Sequence, residues 1–125
     1  MKTLIIGAST NPARYSYVAA NRLKEKGFDF EMVGLREGVV AGQVIQTGTP
    51  HFNDIHTITL YVGPRHQPDY YDYFLSLKPK RIIFNPGTEN PELLQLAQKN
   101  GIETEVACTL VMLSSGVYDQ SAYSG

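Results

Sequence analysis

The apolar run Leu4-Ile5-Ile6 breaks at Gly7 into Ala8-Ser9-Thr10-Asn11-Pro12, and Arg14, Tyr15 and Ser16 lead on into a helical pattern. A buried strand feeding a small-residue turn at a helix N-terminus leaves backbone N–H groups unpaired beside the positive end of the helix dipole, which suits a phosphate. Ser9, Thr10 and Ser16 add hydroxyls and Arg14 a guanidinium, so nucleotide-type binding is the leading expectation. The same residue types also serve as a plain helix cap, with Pro12 stiffening the turn, and both readings stand at this point. The dinucleotide fingerprint G-x-G-x-x-G needs three glycines, and only Gly7 is present. That counts against an ordinary dinucleotide enzyme.

Three further segments could meet the same ligand. At the end of the second strand, where a dinucleotide binder keeps an acid for the ribose, this chain has Arg36 before Glu37. A guanidinium there suits a phosphorylated ribose, or it is a solvated loop charge. Val62-Gly63-Pro64-Arg65 and Asn85-Pro86-Gly87-Thr88 follow two later strands, and in a parallel sheet all such loops leave one edge. Gly63 and Gly87 permit close approach to a slender ligand, and the prolines stiffen the walls. Common catalytic patterns are missing. His51, His56 and His66 lack metal-ligand spacing, and no G-x-S-x-G or Walker-type loop occurs. Cys108, beside an apolar stretch, reads as a buried small hydrophobe.

Positioning these residues requires alternating strands and helices. Strands are expected at about 2–7, 29–35, 58–62, 81–84 and 102–106, and helices at 15–26, 68–77, from Pro91 to Asn100, and 109–115. In the first helix Tyr15, Ala19 and Leu23 recur at four-residue spacing, with Val18 and Ala20 widening the face. In the second, Tyr70, Tyr73, Phe74 and Leu77 share a side; an exposed tyrosine cluster there would suit a homodimer or protein contact. Residues 36–56, broken by Gly38, Gly42 and Gly48, predict one short strand with long loops. The pattern implies a doubly wound, mostly parallel α/β sheet with helices on both faces. One domain is expected over 1–118, with a polar, frayed tail at 119–125. At 125 residues and net charge −1, with one cysteine, the chain shows no basic surplus for nucleic acid. No apolar run approaches membrane-spanning length, no leader pattern fits, and a cytoplasmic location is expected.

The opening segment Ile5-Ile6-Gly7-Ala8-Ser9-x-Asn11-Pro12-x-Arg14-x-Ser16-Tyr17 resembles that of the small stand-alone CoA-binding domain proteins. These are related to the N-terminal CoA-binding domain of the succinyl-CoA synthetase α subunit. Phe84-Asn85-Pro86-Gly87-Thr88-Glu89-Asn90 and Ala107-Cys108-Thr109-Leu110 resemble two later family segments, so the likeness covers nearly the whole chain. The resemblance implies a Rossmann-like fold with CoA or acyl-CoA as the small-molecule ligand. It sets Ser9 to Pro12 against the phosphates, Arg36 near the 3′-phosphorylated ribose, Val62-Gly63-Pro64 beside adenine and ribose, and Asn85 to Gly87 along the pantetheine arm. Nothing here replaces the synthetase's phosphohistidine or its second domain, so the ligase reaction is not inherited. A CoA-type binder without catalytic machinery is the expectation. The alternatives are an enzyme using Cys108 or a histidine on a nucleotide or CoA thioester, and an interaction module that keeps the fold without ligand.

Overall fold

The computed structural model describes residues 1–120. Strands β1 (Lys2–Ala8), β2 (Asp29–Gly34), β3 (Gly38–Val40), β4 (Gln43–Gln46), β5 (Ile55–Leu60), β6 (Arg81–Phe84) and β7 (Glu103–Val106) form one sheet. Helices α1 (Tyr15–Glu25), α2 (Tyr71–Leu77), α3 (Pro91–Lys99) and α4 (Thr109–Ser114) cover it. The order across the sheet is β3-β4-β2-β1-β5-β6-β7. Every neighbouring pair is parallel except β3 with β4. This is the doubly wound α/β architecture the sequence pattern implies.

Period-two alternation sends successive strand residues to opposite faces. Leu4, Ile6, Ile58, Leu60, Ile82 and Phe84 meet Tyr73 and Phe74 of α2 and Leu93 and Ala97 of α3 on one side. Ile5, Met32, Ile45 and Ile83 meet Ala20 and Leu23 of α1 and Met112 and Leu113 of α4 on the other. Strands buried on both faces read as unbroken apolar runs, which is why β1 and β6 were legible. Asn90 caps α3, its Oδ1 accepting the Glu92 and Leu93 N–H groups, and Pro91 opens the helix.

Four expectations need correction. The buried stripe of α1 is Ser16, Ala19, Ala20 and Leu23, while Tyr15 points to solvent. Residues 36–54 hold two strands rather than one, because Ala41 and Gly42, both at positive φ, turn β3 back onto β4. β5 starts at Ile55 and ends at Leu60, so Tyr61 and Val62 already belong to the loop. Residues 68–70 form a 3₁₀ turn before α2 begins.

The chain leaves β1 through α1 toward β2 and later returns to β5 on the other side of β1. The C-terminal ends of β1 and β5 therefore flank the switch point where open α/β sheets form their crevice. At the opposite edge Arg81 is buried, its Nε donating to Thr57 Oγ1 (3.0 Å) and its Nη1 to the Gln120 carbonyl (3.2 Å). Its guanidinium lies 4.8 Å from the centre of the buried Tyr118 ring. Of the tail expected to fray, residues 121–125 lie outside the described residues.

Candidate functional site

The β1 end is shaped by glycine. Ile6 pairs with Val33 but Ala8 with Gly34, so the register slips at Gly7, whose φ is +94°. A Cβ on Gly7 would lie 2.8 Å from the Tyr61 carbonyl oxygen. One on Gly34 would run into the Ala8 carbonyl oxygen, and one on Gly38 into the Thr10 methyl. Three glycines on three elements thus let the end of β1 and the loop after it settle against the ends of β2, β3 and β5.

Within that loop Ser9 Oγ accepts the Asn11 N–H and Asn11 Oδ1 accepts the Ala13 N–H, each at 3.0 Å, and the Asn11 carbonyl accepts the Arg14 N–H. The side chains of Ser9 and Asn11 therefore shape the loop, as the capping alternative has it. Arg14, the residue before α1, gives the helix no side-chain cap, and its first turn holds no acid. Among the described residues the N–H groups of Thr10, Tyr15 and Ser16 have no protein acceptor. Ser16 is buried, while Thr10, Pro12 and Arg14 are exposed. Arg14, Arg36 and Arg65 are all exposed and take part in no ion pair among the described residues.

The facing wall is a braced pair of loops. Asn85 is 2% exposed; its Nδ2 donates to Thr59 Oγ1 (2.7 Å) and the Leu60 carbonyl (2.8 Å), and its Oδ1 accepts the Thr109 N–H (2.8 Å). Its side chain is thereby committed to joining β5, β6 and α4. Pro86 and Gly87, at φ +90°, form the turn closed by the Thr88 N–H onto the Asn85 carbonyl. The Gly87 N–H donates to Glu89 Oε1 at 2.7 Å. Gln67, fully buried, donates through Nε2 to the carbonyls of Val62 (3.0 Å) and Thr88 (2.8 Å) and accepts from Asn90 Nδ2 (2.9 Å). It clamps the Val62-Gly63-Pro64 segment to the Asn85-Pro86-Gly87 segment. Sequence reasoning gave Gln67 no role; a lone glutamine between His66 and Pro68 carries no local signal of burial. All four expected loops, around Gly7, Arg36, Gly63 and Gly87, share the C-terminal edge of the sheet.

A family model described as CoA binding domain matches residues 1–114. The chain belongs to this CoA-binding domain family. A crystal structure described only as that of an uncharacterized protein is 52% identical, covers 92% of this chain and 95% of its own, and superposes with a TM-score of 0.90. A hypothetical protein from Pyrococcus horikoshii OT3 (23% identity, 90% of this chain and 81% of that one, TM-score 0.81) is similar in fold. So is a protein from Thermus thermophilus (18% identity, 93% and 89% coverage, TM-score 0.82). No curated protein matches the sequence.

In this member of the CoA-binding domain family, Cys108 is half-buried just before α4. Beneath it Thr59 Oγ1 and Thr109 Oγ1 pair at 2.8 Å. The buried Tyr61 hydroxyl faces those two threonines without reaching hydrogen-bonding geometry with either. Burial raises its pKa above the ordinary phenol value. His51, His56 and His66 do not meet: His51 pairs with Asn53, and His56 with Thr57 at the start of β5. A surface depression of about 820 Å³ lies at the opposite sheet edge between Lys78, Lys80, Gln98 and Glu103. It is wide and shallow, and none of the expected site residues lines it.

Proposed function

We propose that this chain binds CoA or an acyl-CoA across the C-terminal edge of the sheet and acts as a carrier, sensor or partner subunit. The single observation carrying the ligand's identity is the family match over residues 1–114. The chemistry of the edge supports it. The N–H groups of Thr10, Tyr15 and Ser16 suit diphosphate oxygens, and Arg14 and Arg65 lie near enough in sequence to the Gly7 and Gly63 loops to add charge. Arg36 takes the 3′-phosphate, Val62-Gly63-Pro64 the adenine and ribose. The pantetheine arm runs along the backbone of Asn85-Pro86-Gly87, since the Asn85 amide is already engaged. A second reading, an interaction module without ligand, draws support from the Asn11 and Ala13 N–H groups being occupied by Ser9 and Asn11.

Calorimetric or thermal-shift titration with CoA, dephospho-CoA, NAD and ATP separates these readings. CoA should stabilise the fold most. No response to millimolar CoA would favour the ligand-free module, and equal responses to CoA and dephospho-CoA would remove the role given to Arg36.

A further inference from the structure

The loop after β6 offers a ligand fewer donors than its place on the sheet edge suggests. Of Asn85-Pro86-Gly87-Thr88, only Pro86 and Gly87 are exposed. Pro86 has no N–H, and the Thr88 N–H already closes the turn onto the Asn85 carbonyl. The exposed donor of the segment is therefore the Gly87 N–H, and a carboxylate oxygen of Glu89 occupies it at 2.7 Å. The φ of +90° at Gly87 and the Gln67 bond to the Thr88 carbonyl fix the direction of that N–H. The space beside Gly87 is open, since a Cβ there would meet no atom within 4 Å. Glu89 is itself exposed and takes part in no ion pair among the described residues, so its bond to Gly87 is readily exchanged.

We infer that the Gly87 N–H is the donor for an amide carbonyl of the pantetheine arm, and that Glu89 is its built-in competitor. The inference rests on the CoA reading given above. Pantetheine is a slender, largely apolar arm punctuated by amides, and an amide carbonyl taken out of water without a donor costs binding energy. In the ligand-free chain the Glu89 carboxylate stands where that carbonyl oxygen would be. When the arm lies along the loop, its carbonyl takes over the Gly87 N–H and the carboxylate turns out to solvent, where it is fully hydrated. Breaking the Gly87–Glu89 bond is thus charged against every ligand that carries a pantetheine arm and against none that lacks it.

Calorimetric titration of the wild type and Glu89→Ala with CoA, pantetheine and adenosine 3′,5′-bisphosphate is the test, with thermal melts as the control for folding. Removing the competitor should tighten CoA and pantetheine by the same factor, about three- to tenfold, and leave adenosine 3′,5′-bisphosphate unchanged. Glu89→Gln keeps an oxygen acceptor without the charge and should fall between wild type and Glu89→Ala. In the free Glu89→Ala chain the Gly87 amide should exchange with solvent faster than in the wild type, and CoA should restore its protection. A wild type that binds CoA while Glu89→Ala binds it equally or more weakly would overturn this inference alone, because a carboxylate that only steadies the turn predicts that result. An equal gain for adenosine 3′,5′-bisphosphate, or a Gly87 amide left unprotected by CoA, would also overturn it. A wild type that responds to neither CoA nor pantetheine at millimolar concentration would overturn the CoA reading, and this inference with it.

Discussion

Gly7 and His56 show how much a single residue decides here. The small-residue turn after Leu4-Ile5-Ile6 was legible as a strand end, but nothing near Gly7 in the chain signals that it must also clear the Tyr61 carbonyl 54 residues later. Gly7→Ala combines an unfavourable positive φ with a contact inside van der Waals distance. It should cost about 1–3 kcal/mol, lowering Tm by about 5–10 °C in a thermal melt. A loss no larger than that of an alanine at the open Gly63 would show that the loop after β5 yields easily. At the other sheet edge, burial and then the charge of Arg81 hold the His56 pKa below its ordinary 6.5. Between that lowered value and about 6.5, the unfolded chain binds a proton that the folded chain does not. Stability should be complete above pH 6.5 and fall as the pH drops through that window. His56→Gln should flatten this part of a Tm-against-pH curve; an unchanged slope would assign the loss to other groups.

At the scale of elements, what could be read depended on whether the signal was local. The strand runs 2–7 and 81–84 and the helix opened by Pro91 were plain, because continuous burial and a proline at the first helical position are written in neighbouring residues. The hairpin of β3 and β4 was hidden, since an alanine at positive φ carries no turn signature and its partner Gly42 looks like any loop glycine. For the candidate site the reverse held. Its four loops were found by their place after parallel strands, yet the clamp that holds two of them together was not. Gln67 and Asn85 act through bonds spanning 21 to 26 residues, and no spacing rule reports those. Gln67→Leu would leave the Val62 and Thr88 carbonyls buried without donors, and Asn85→Leu would do the same to the Thr109 N–H and the Leu60 carbonyl. Each should cost about 2–4 kcal/mol. Amide hydrogen exchange should show the Gln67 variant opening residues 62–67 and 85–90 together, while α1 keeps its protection. Faster exchange in only one of the two loops would show that they are braced separately.

Considered whole, the molecule is one sheet sandwiched between two apolar layers that share every central strand, which favours a single cooperative unfolding transition. A ligand that binds only the folded state then reports through Tm: at a hundredfold excess over its Kd it adds about 2.7 kcal/mol, or about 10 °C for a chain of this size. The charge arrangement makes a sharper prediction. The net charge is −1, so the chain as a whole exerts no long-range pull on an anion. In the proposed binding mode the attraction for CoA comes from the exposed Arg14, Arg36 and Arg65 and from the N–H groups around the start of α1, acting at short range. Raising the salt from about 0.05 to 0.5 M shortens the screening length from about 14 to about 4 Å and should weaken CoA binding several-fold in a calorimetric titration. Dephospho-CoA, lacking the group assigned to Arg36, should show a shallower salt dependence, and Arg36→Ala should bring the CoA slope down to that of dephospho-CoA while leaving the dephospho-CoA slope alone. If CoA binds but its slope survives Arg36→Ala, the 3′-phosphate lies elsewhere on the edge, with Arg14 and Arg65 the next residues to substitute.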